Sequence, residues 1–200
     1  MLLPDPGSPA TTINIPEACH TALIILTARH GPLIVAGMDV AGCLGCDLAA
    51  GRRHSAGGIL YETPSWLVNH VVGAMNLGTL IVAPREHVVA VADLDDAAAL
   101  ELGSVLRAAA HVVEALCDPE QTYVCLWSHG TDGRKHLHFA VQPVTTAVVA
   151  RHGGLRSEQL QARMMANGDQ PDLAEVERFC RQARELFRLI NKSAGGVASE

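Results

Sequence analysis

His136-Leu137-His138-Phe139-Ala140-Val141-Gln142-Pro143 is the stretch on which the reading of this chain turns. It alternates, and a β-strand sends successive side chains to opposite faces. Leu137, Phe139 and Val141 therefore share one face, and His136, His138, Ala140 and Gln142 share the other. A half-buried strand with this pattern presents two imidazoles and an amide on its open side. Imidazoles two residues apart lie ~6.5–7 Å apart along a strand, close enough to serve one site in different roles. A surface strand that happens to carry two histidines is the plainer reading of the same pattern.

Working outward, Ser128 to Lys135 forms a polar loop leading into this strand, and Tyr123–Trp127 reads as the strand before it. Further upstream, Leu102, Val105, Leu106, Ala109, Val112, Val113 and Leu116 recur at helical spacing. Asp93, Asp95 and Asp96 supply caps and negative charge at the start of that helix. Its end is expected near Cys117-Asp118-Pro119, because proline disfavours helix in the residue before it. Three strand-like runs precede it, Ile59–Thr63, Trp66–Val72 and Thr79–Ala83, the last two joined by a turn at Ala74–Gly78. Downstream, Leu173, Val176, Phe179, Cys180, Ala183, Leu186, Phe187 and Ile190 mark a second amphipathic helix. Short turns between strands favour antiparallel pairing, so the expected class is α+β. Residues 22–26 and 33–36 form two short apolar runs that would suit an added strand pair. The expected organisation is a tail at 1–40, a central domain at 41–146, and a helical extension at 147–200 packed on that domain.

Composition excludes several functions. The 200 residues are 48% hydrophobic and 18% charged, enough to fill a core. The net charge of −6 argues against a general binder of polymeric nucleic acid, which needs a basic surface. Aromatics are only 4%, so Ala, Val, Leu and Ile must build the interior. The most apolar stretch, residues 22–38, is interrupted by Arg29, His30 and Pro32, so no membrane span is expected. The first residues carry Asp5 and prolines without a basic region, so no secretory signal is expected and a cytoplasmic protein is the default. In that compartment the pair Cys43-Leu44-Gly45-Cys46 points to a metal before a disulfide. A thioredoxin-like redox pair would need a βαβ context, and two unrelated buried cysteines are a further reading. Cys19, Cys117, Cys125 and Cys180 read as apolar fillers.

Three landmarks in order resemble the histidine-triad (HIT) superfamily of nucleotide hydrolases and transferases. They are Cys43-Leu44-Gly45-Cys46, then Gly78-Thr79-Leu80-Ile81-Val82-Ala83-Pro84-Arg85-Glu86-His87, and last the His136–Pro143 strand. The resemblance spans residues 43–143, about half the chain. It implies an antiparallel sheet of about five strands with a long helix and a C-terminal helix packed on it. It also implies pairing as a homodimer and action on a small nucleotide or nucleotide conjugate. By that resemblance Cys43, Cys46, His87 and His136 would hold zinc. Two thiolates and two imidazoles make a closed tetrahedral site of the structural type.

The same resemblance makes His138 the nucleophile toward an α-phosphorus, with a nucleotidyl-histidine intermediate resolved by water or an acceptor phosphate. Imidazole is unprotonated near neutral pH and suits that role. Developing phosphoryl charge needs fixed donors. Ser128, His129, Thr131, Arg134 and Lys135 lie where the family places them, although a solvated loop would look the same. Ala140 stands where the family's third histidine stands, which puts assistance to the leaving group in doubt. Gln142, one pleat on, is a candidate substitute. No carboxylate occurs between Trp66 and Gly78, where the family holds the ribose, and Asn69 and Asn76 are the amides available there. Three functions fit: a hydrolase or nucleotidyl transferase acting on phosphoramidates or dinucleoside polyphosphates, a non-catalytic nucleotide-binding protein, and a zinc-stabilised interaction module.

Overall fold

The alternating runs become an open sheet of five antiparallel strands, and two of the amphipathic segments become the helices that cover one side of it. The structure is a computed structural model, and it describes residues 39–128, 134–152, 157–168 and 170–195. The tail and the apolar runs at 22–26 and 33–36 lie outside the described residues.

In chain order the elements are α1 (Leu44–Ala49), β1 (Ile59–Glu62), β2 (Trp66–His70), β3 (Leu80–Pro84), a 3₁₀ turn (Val91–Asp93), α2 (Asp96–Cys117), β4 (Gln121–Trp127), β5 (His138–Val144), α3 (Thr146–His152), α4 (Ser157–Asn167) and α5 (Leu173–Gly195). The strands lie in the order β1-β2-β3-β5-β4, all neighbours antiparallel. The α+β expectation is met. Among the described residues no helix is long and apolar enough to cross a membrane.

The period-two pattern decides what each face carries. Trp66 and Val68 of β2, Leu80 and Val82 of β3, and Phe139 and Val141 of β5 are buried on one face. They meet Val105, Ala109 and Val112 of α2 and Phe179, Ala183 and Phe187 of α5. Trp66 is fully buried and its indole N–H donates to the Ala98 carbonyl at 2.9 Å, so the one polar atom of that side chain is satisfied. The few aromatics are thus concentrated in an otherwise aliphatic interior. Leu173 falls outside the buried stripe of α5, 60% exposed at the first position of the helix, before the apolar face meets the sheet.

α2 begins and ends where its sequence says. The Asp95 carboxylate accepts from the Ala98 N–H at 2.7 Å, satisfying a donor that the helix itself cannot pair. Asp118 closes it in the left-handed region at φ 43°, a conformation that Asp tolerates better than most residues, and Pro119 follows. The turn before β3 passes so close to α2 that it needs glycine. Gly78 has φ +86°, and a Cβ there would lie 2.4 Å from the Cys117 sulfur.

The opposite face of the sheet holds the site. Pairing registers set its rows: Leu67 opposite Ala83, Trp127 opposite His138, then Asn69 opposite Ile81, Ile81 opposite Ala140, and Ala140 opposite Cys125. The next row, Gln142 opposite Tyr123, is covered by α4, whose Leu160 and Met164 pack with Met75 and Val144.

Candidate functional site

α1 is only six residues long, and Cys43 and Cys46 sit at its start, three apart and therefore on one face. His87 comes from the loop after β3, and His136 from the segment entering β5. The strand begins at His138, two residues later than the alternation predicts. The cause is that the main chain before it pairs elsewhere: the His136 N–H donates to the Ser128 carbonyl at 3.0 Å and the Leu137 N–H to the Val88 carbonyl at 2.7 Å.

Cys43, Cys46, His87 and His136 converge, with one potential ligand atom from each lying within 4.8 Å of all the others. The Cys43 sulfur is 3.2 Å from His136 Nδ1, the Cys46 sulfur is 3.4 Å from His87 Nδ1, and the Cys46 sulfur is 3.8 Å from His136 Nδ1. A tetrahedral zinc ion with Zn–S of ~2.3 Å and Zn–N of ~2.0–2.1 Å has S···N edges of about 3.6 Å. The observed separations bracket that value. The His136 tautomer also fits: its Nε2–H donates to the Pro84 carbonyl at 3.1 Å, which leaves the Nδ1 lone pair facing the sulfurs. Burial pushes the Cys46 thiol up to about 11 and holds His136 below the usual imidazole value. Buried thiols of that kind lose their protons when a divalent cation takes their place. The donor set, its spacing and its second partners fit zinc.

Gly45 is the local reason the cluster closes. A Cβ at this position would lie 2.5 Å from the His136 ring, so α1 approaches the imidazole as only a glycine allows. No disulfide joins Cys43 and Cys46 in this structure.

His138 occupies the floor of a cavity of about 470 Å³. Its Nδ1–H donates to the His136 main-chain carbonyl at 2.9 Å, so Nε2 is the nitrogen that carries the in-plane lone pair. Ala140 lies beside it, 5% exposed. Leu44 and Leu48 of α1 form one wall, and Val71 to Met75 and Met165 of α4 form the other. Asn69 lies on the floor, where its amide nitrogen donates to the His70 carbonyl at 2.6 Å and its side-chain oxygen is the remaining polar group. Arg134 lines the rim, where its guanidinium donates to the Ala41 carbonyl and lies over Gly42.

The other sequence candidates are placed differently. Ser128 is half-buried and contributes its carbonyl to the His136 N–H. Lys135 is exposed and does not line the cavity. Gln142 and Asn76 are brought together, but with each other: Gln142 Nε2 donates to Asn76 Oδ1 at 3.0 Å, and Gln161 Nε2 donates to Gln142 Oε1 at 3.0 Å. Asn76 Nδ2 donates to the Pro143 carbonyl at 2.8 Å. Gln142 is fully buried, and both residues lie outside the cavity lining. His129 and Thr131 lie outside the described residues. Trp127, Leu48 and Met165 are cavity residues that the sequence reading did not single out. For Trp127 the signal was available, since it ends β4 directly opposite His138.

An open antiparallel sheet with a long helix beside it, and a Cys₂His₂ cluster at one end of the strand bearing His138, defines the class of architecture. Comparison with solved structures then identifies the fold as that of histidine triad proteins. A zinc-bound histidine triad family protein from Mycobacterium smegmatis matches with a TM-score of 0.54 at 17% identity, covering 76% of this chain and 97% of that one. A hypothetical histidine triad nucleotide-binding protein from Sulfolobus tokodaii matches with a TM-score of 0.56 at 14% identity, covering 74% and 93%. A HIT-like protein from Bartonella henselae matches with a TM-score of 0.53 at 13% identity, covering 74% and 99%. No family profile and no curated protein matches the sequence. The likeness is one of fold.

Proposed function

We propose that this chain binds a small nucleotide conjugate and acts at its α-phosphorus, with His138 as nucleophile, as a hydrolase or nucleotidyl transferase. The observation that carries the reading is the bond from His138 Nδ1 to the His136 carbonyl, made at the floor of the cavity. That bond holds the neutral tautomer with Nε2 as the attacking nitrogen. It also stabilises the positive charge that the ring acquires when Nε2 bonds to phosphorus. Arg134 is the donor placed to meet phosphoryl charge at the rim. The name of the Sulfolobus neighbour supports a nucleotide as the ligand class.

Zinc has a structural role in this reading. When bound by Cys43, Cys46, His87 and His136 it cross-links α1 to the β3 and β5 ends of the sheet and offers no open position. It thereby fixes the His136 backbone, whose carbonyl positions His138. A cytoplasmic setting is consistent with the free thiols. A homodimer through the β4 edge is supported by Val124 and Leu126, which are 48% and 51% exposed on an edge strand.

Turnover of a panel of nucleotide conjugates by wild type and by His138→Ala tests the function. The expected result is a loss of at least ~10³-fold in the variant with its melting temperature retained. Equal rates in both proteins overturn it. The second reading, nucleotide binding without turnover, is favoured by Ala140 at the third triad position. It predicts calorimetric binding and no rate above buffer.

A further inference from the structure

We infer that Arg52 is a positioning residue for the metal site: its guanidinium clasps Asp39 and Asp47, on either side of the two cysteines, and holds both thiols ready for a divalent cation before the cation binds. The inference rests on the reading of Cys43, Cys46, His87 and His136 as a zinc site and adds the residue that prepares it.

The two halves of the site are supported unequally. The imidazole half is built on the sheet, where the His136 ring bonds the Pro84 carbonyl and the His136 N–H bonds the Ser128 carbonyl. The thiol half is carried by α1, six residues whose N-cap, Cys43, makes no side-chain cap bond. A helix this short does not persist by itself, because its first turn fixes several residues for one hydrogen bond. Backbone turns supply part of the support. The Cys43 N–H donates to the Val40 carbonyl at 3.0 Å, and the Arg52 and Arg53 N–H groups donate to the Asp47 carbonyl at 2.8 and 3.1 Å.

The clasp closes the segment. Arg52 Nη1 and Nη2 donate to the two Asp39 carboxylate oxygens at 2.5 and 2.7 Å, and Nε donates to Asp47 Oδ1 at 2.8 Å. Asp39 lies ahead of Cys43 in the chain, and Asp47 directly follows Cys46. One planar guanidinium thus joins the chain before the first thiol to the chain behind the second. A single exposed ion pair contributes little. Here a bidentate fork and a second carboxylate share one cation, an arrangement that fixes geometry as well as charge. Ordering the segment costs conformational entropy, and any ordering left until the cation arrives weakens its binding.

The sign of the effect separates a clasp from ordinary charge. Arg52 is itself a cation in the segment that supplies the thiols. By charge alone its removal should tighten zinc binding, since like charges repel. As a clasp its removal should loosen it. Arg53 is the matched control, an exposed arginine next in the chain whose side chain bonds no described residue.

The test is competition of the full chain against a zinc chelator, with cobalt as the spectroscopic probe. Arg52→Gln is expected to weaken zinc binding ~10-fold or more, as for loss of an outer contact that supports a metal ligand. Arg53→Gln is expected to leave binding unchanged or slightly tighter. Arg52→Lys keeps the charge without the fork, and should stay nearer to Arg52→Gln than to wild type. In an Asp39→Asn background Arg52→Gln should lose part of its effect, because one arm of the clasp is already gone. At saturation the cobalt forms of wild type and Arg52→Gln should share one thiolate-to-cobalt absorption band, since the ligands are the same and only their readiness differs. The zinc-free melting temperature of Arg52→Gln should stay within ~4 °C of zinc-free wild type, as for an exposed pair. Zinc binding that is unchanged or tighter in Arg52→Gln overturns the clasp. So does an equal loss in Arg53→Gln, full rescue by Arg52→Lys, strict additivity with Asp39→Asn, an altered cobalt band, or a larger fall of the zinc-free melting temperature. If wild type binds neither metal, the reading of the four ligands falls and the clasp with it. If wild type binds zinc and Arg52→Gln binds it equally well, the site stands and only the clasp falls.

Discussion

The two ends of β5 use their polar side chains in opposite ways. At the His136 end four side chains from three separated segments converge with their ligand atoms within 4.8 Å, two thiols and two imidazoles in an arrangement that fits a cation. At the Gln142 end the polar atoms satisfy one another, with Gln142, Asn76 and Gln161 linked at 3.0 Å and closed off from the cavity. His138 lies between, anchored to the first end through the His136 carbonyl and separated from the second by the methyl group of Ala140. The difference teaches where function can reside on such a strand. Buried polar groups that complete each other's hydrogen bonds specify packing, and those left needing a partner recruit one.

The largest effect should come from breaking the first end. Chelation of the metal, or Cys46→Ser, is expected to lower the melting temperature by at least ~10 °C, since structural zinc contributes several kcal/mol or more to folding. Elemental analysis should give one zinc per chain in wild type and none in the variant. A melting temperature unaffected by chelation would show that no structural metal is held there.

Gly45→Ala sharpens the same end. The added methyl would lie 2.5 Å from the His136 ring, so either α1 or the imidazole must shift. Zinc affinity in a competition assay is expected to fall ~10–100-fold, as for loss of a positioning contact around a metal ligand.

The other end should respond more mildly and non-additively. Gln142→Leu removes the acceptor of the Gln161 amide and one of two donors to Asn76 Oδ1, which keeps its bond from the Thr79 hydroxyl, and the orphaned Gln161 amide costs about 1–3 kcal/mol in urea unfolding. The double variant Gln142→Leu, Gln161→Leu is expected to recover part of that loss, because both buried partners are then apolar. Strict additivity would mean that the pair is not coupled as the geometry shows.

The smallest effect is a pH dependence at the core side of the sheet, where the buried His70 ring lies edge-on to Phe179 of α5. His70 Nδ1–H donates to the Val71 carbonyl at 3.1 Å, and its Nε2 accepts from the Gly78 N–H at 3.1 Å. Burial lowers its pKa, partly opposed by the Val71 bond. A histidine whose folded value is depressed contributes stability that is complete above the unfolded value of about 6.5 and is lost as pH falls below it. The melting temperature of wild type should therefore drop between pH 7 and pH 5 by more than that of His70→Gln. Parallel profiles would show that His70 contributes nothing to the pH dependence.

Much of this architecture was legible in the sequence because its sheet is half-covered. Alternation put Leu137, Phe139 and Val141 on the core face and His138, Ala140 and Gln142 on the other, and the structure keeps that division. The cap at Asp95 and the stop at Asp118-Pro119 were equally local, so they too could be read from the chain. Features set by tertiary contact were not legible. α1 has six residues, too few for a helical period to register, and its position depends on Gly45 meeting a ring 91 residues away. Alternation placed Gln142 on the right face but could not reveal that Gln161 and Met164 of α4 would cover it. The strand start at His138 likewise depends on Val88 and Ser128 drawing the preceding main chain aside.

The covalent bond proposed between His138 and phosphorus is open to rapid-quench trapping. Enzyme mixed with a nucleotide conjugate radiolabelled at its α-phosphate, quenched within the first turnover and digested, should yield one alkali-stable, acid-labile labelled peptide containing His138. That label is expected in wild type and not in His138→Ala. Turnover with no labelled peptide, or with the label on another residue, would contradict it.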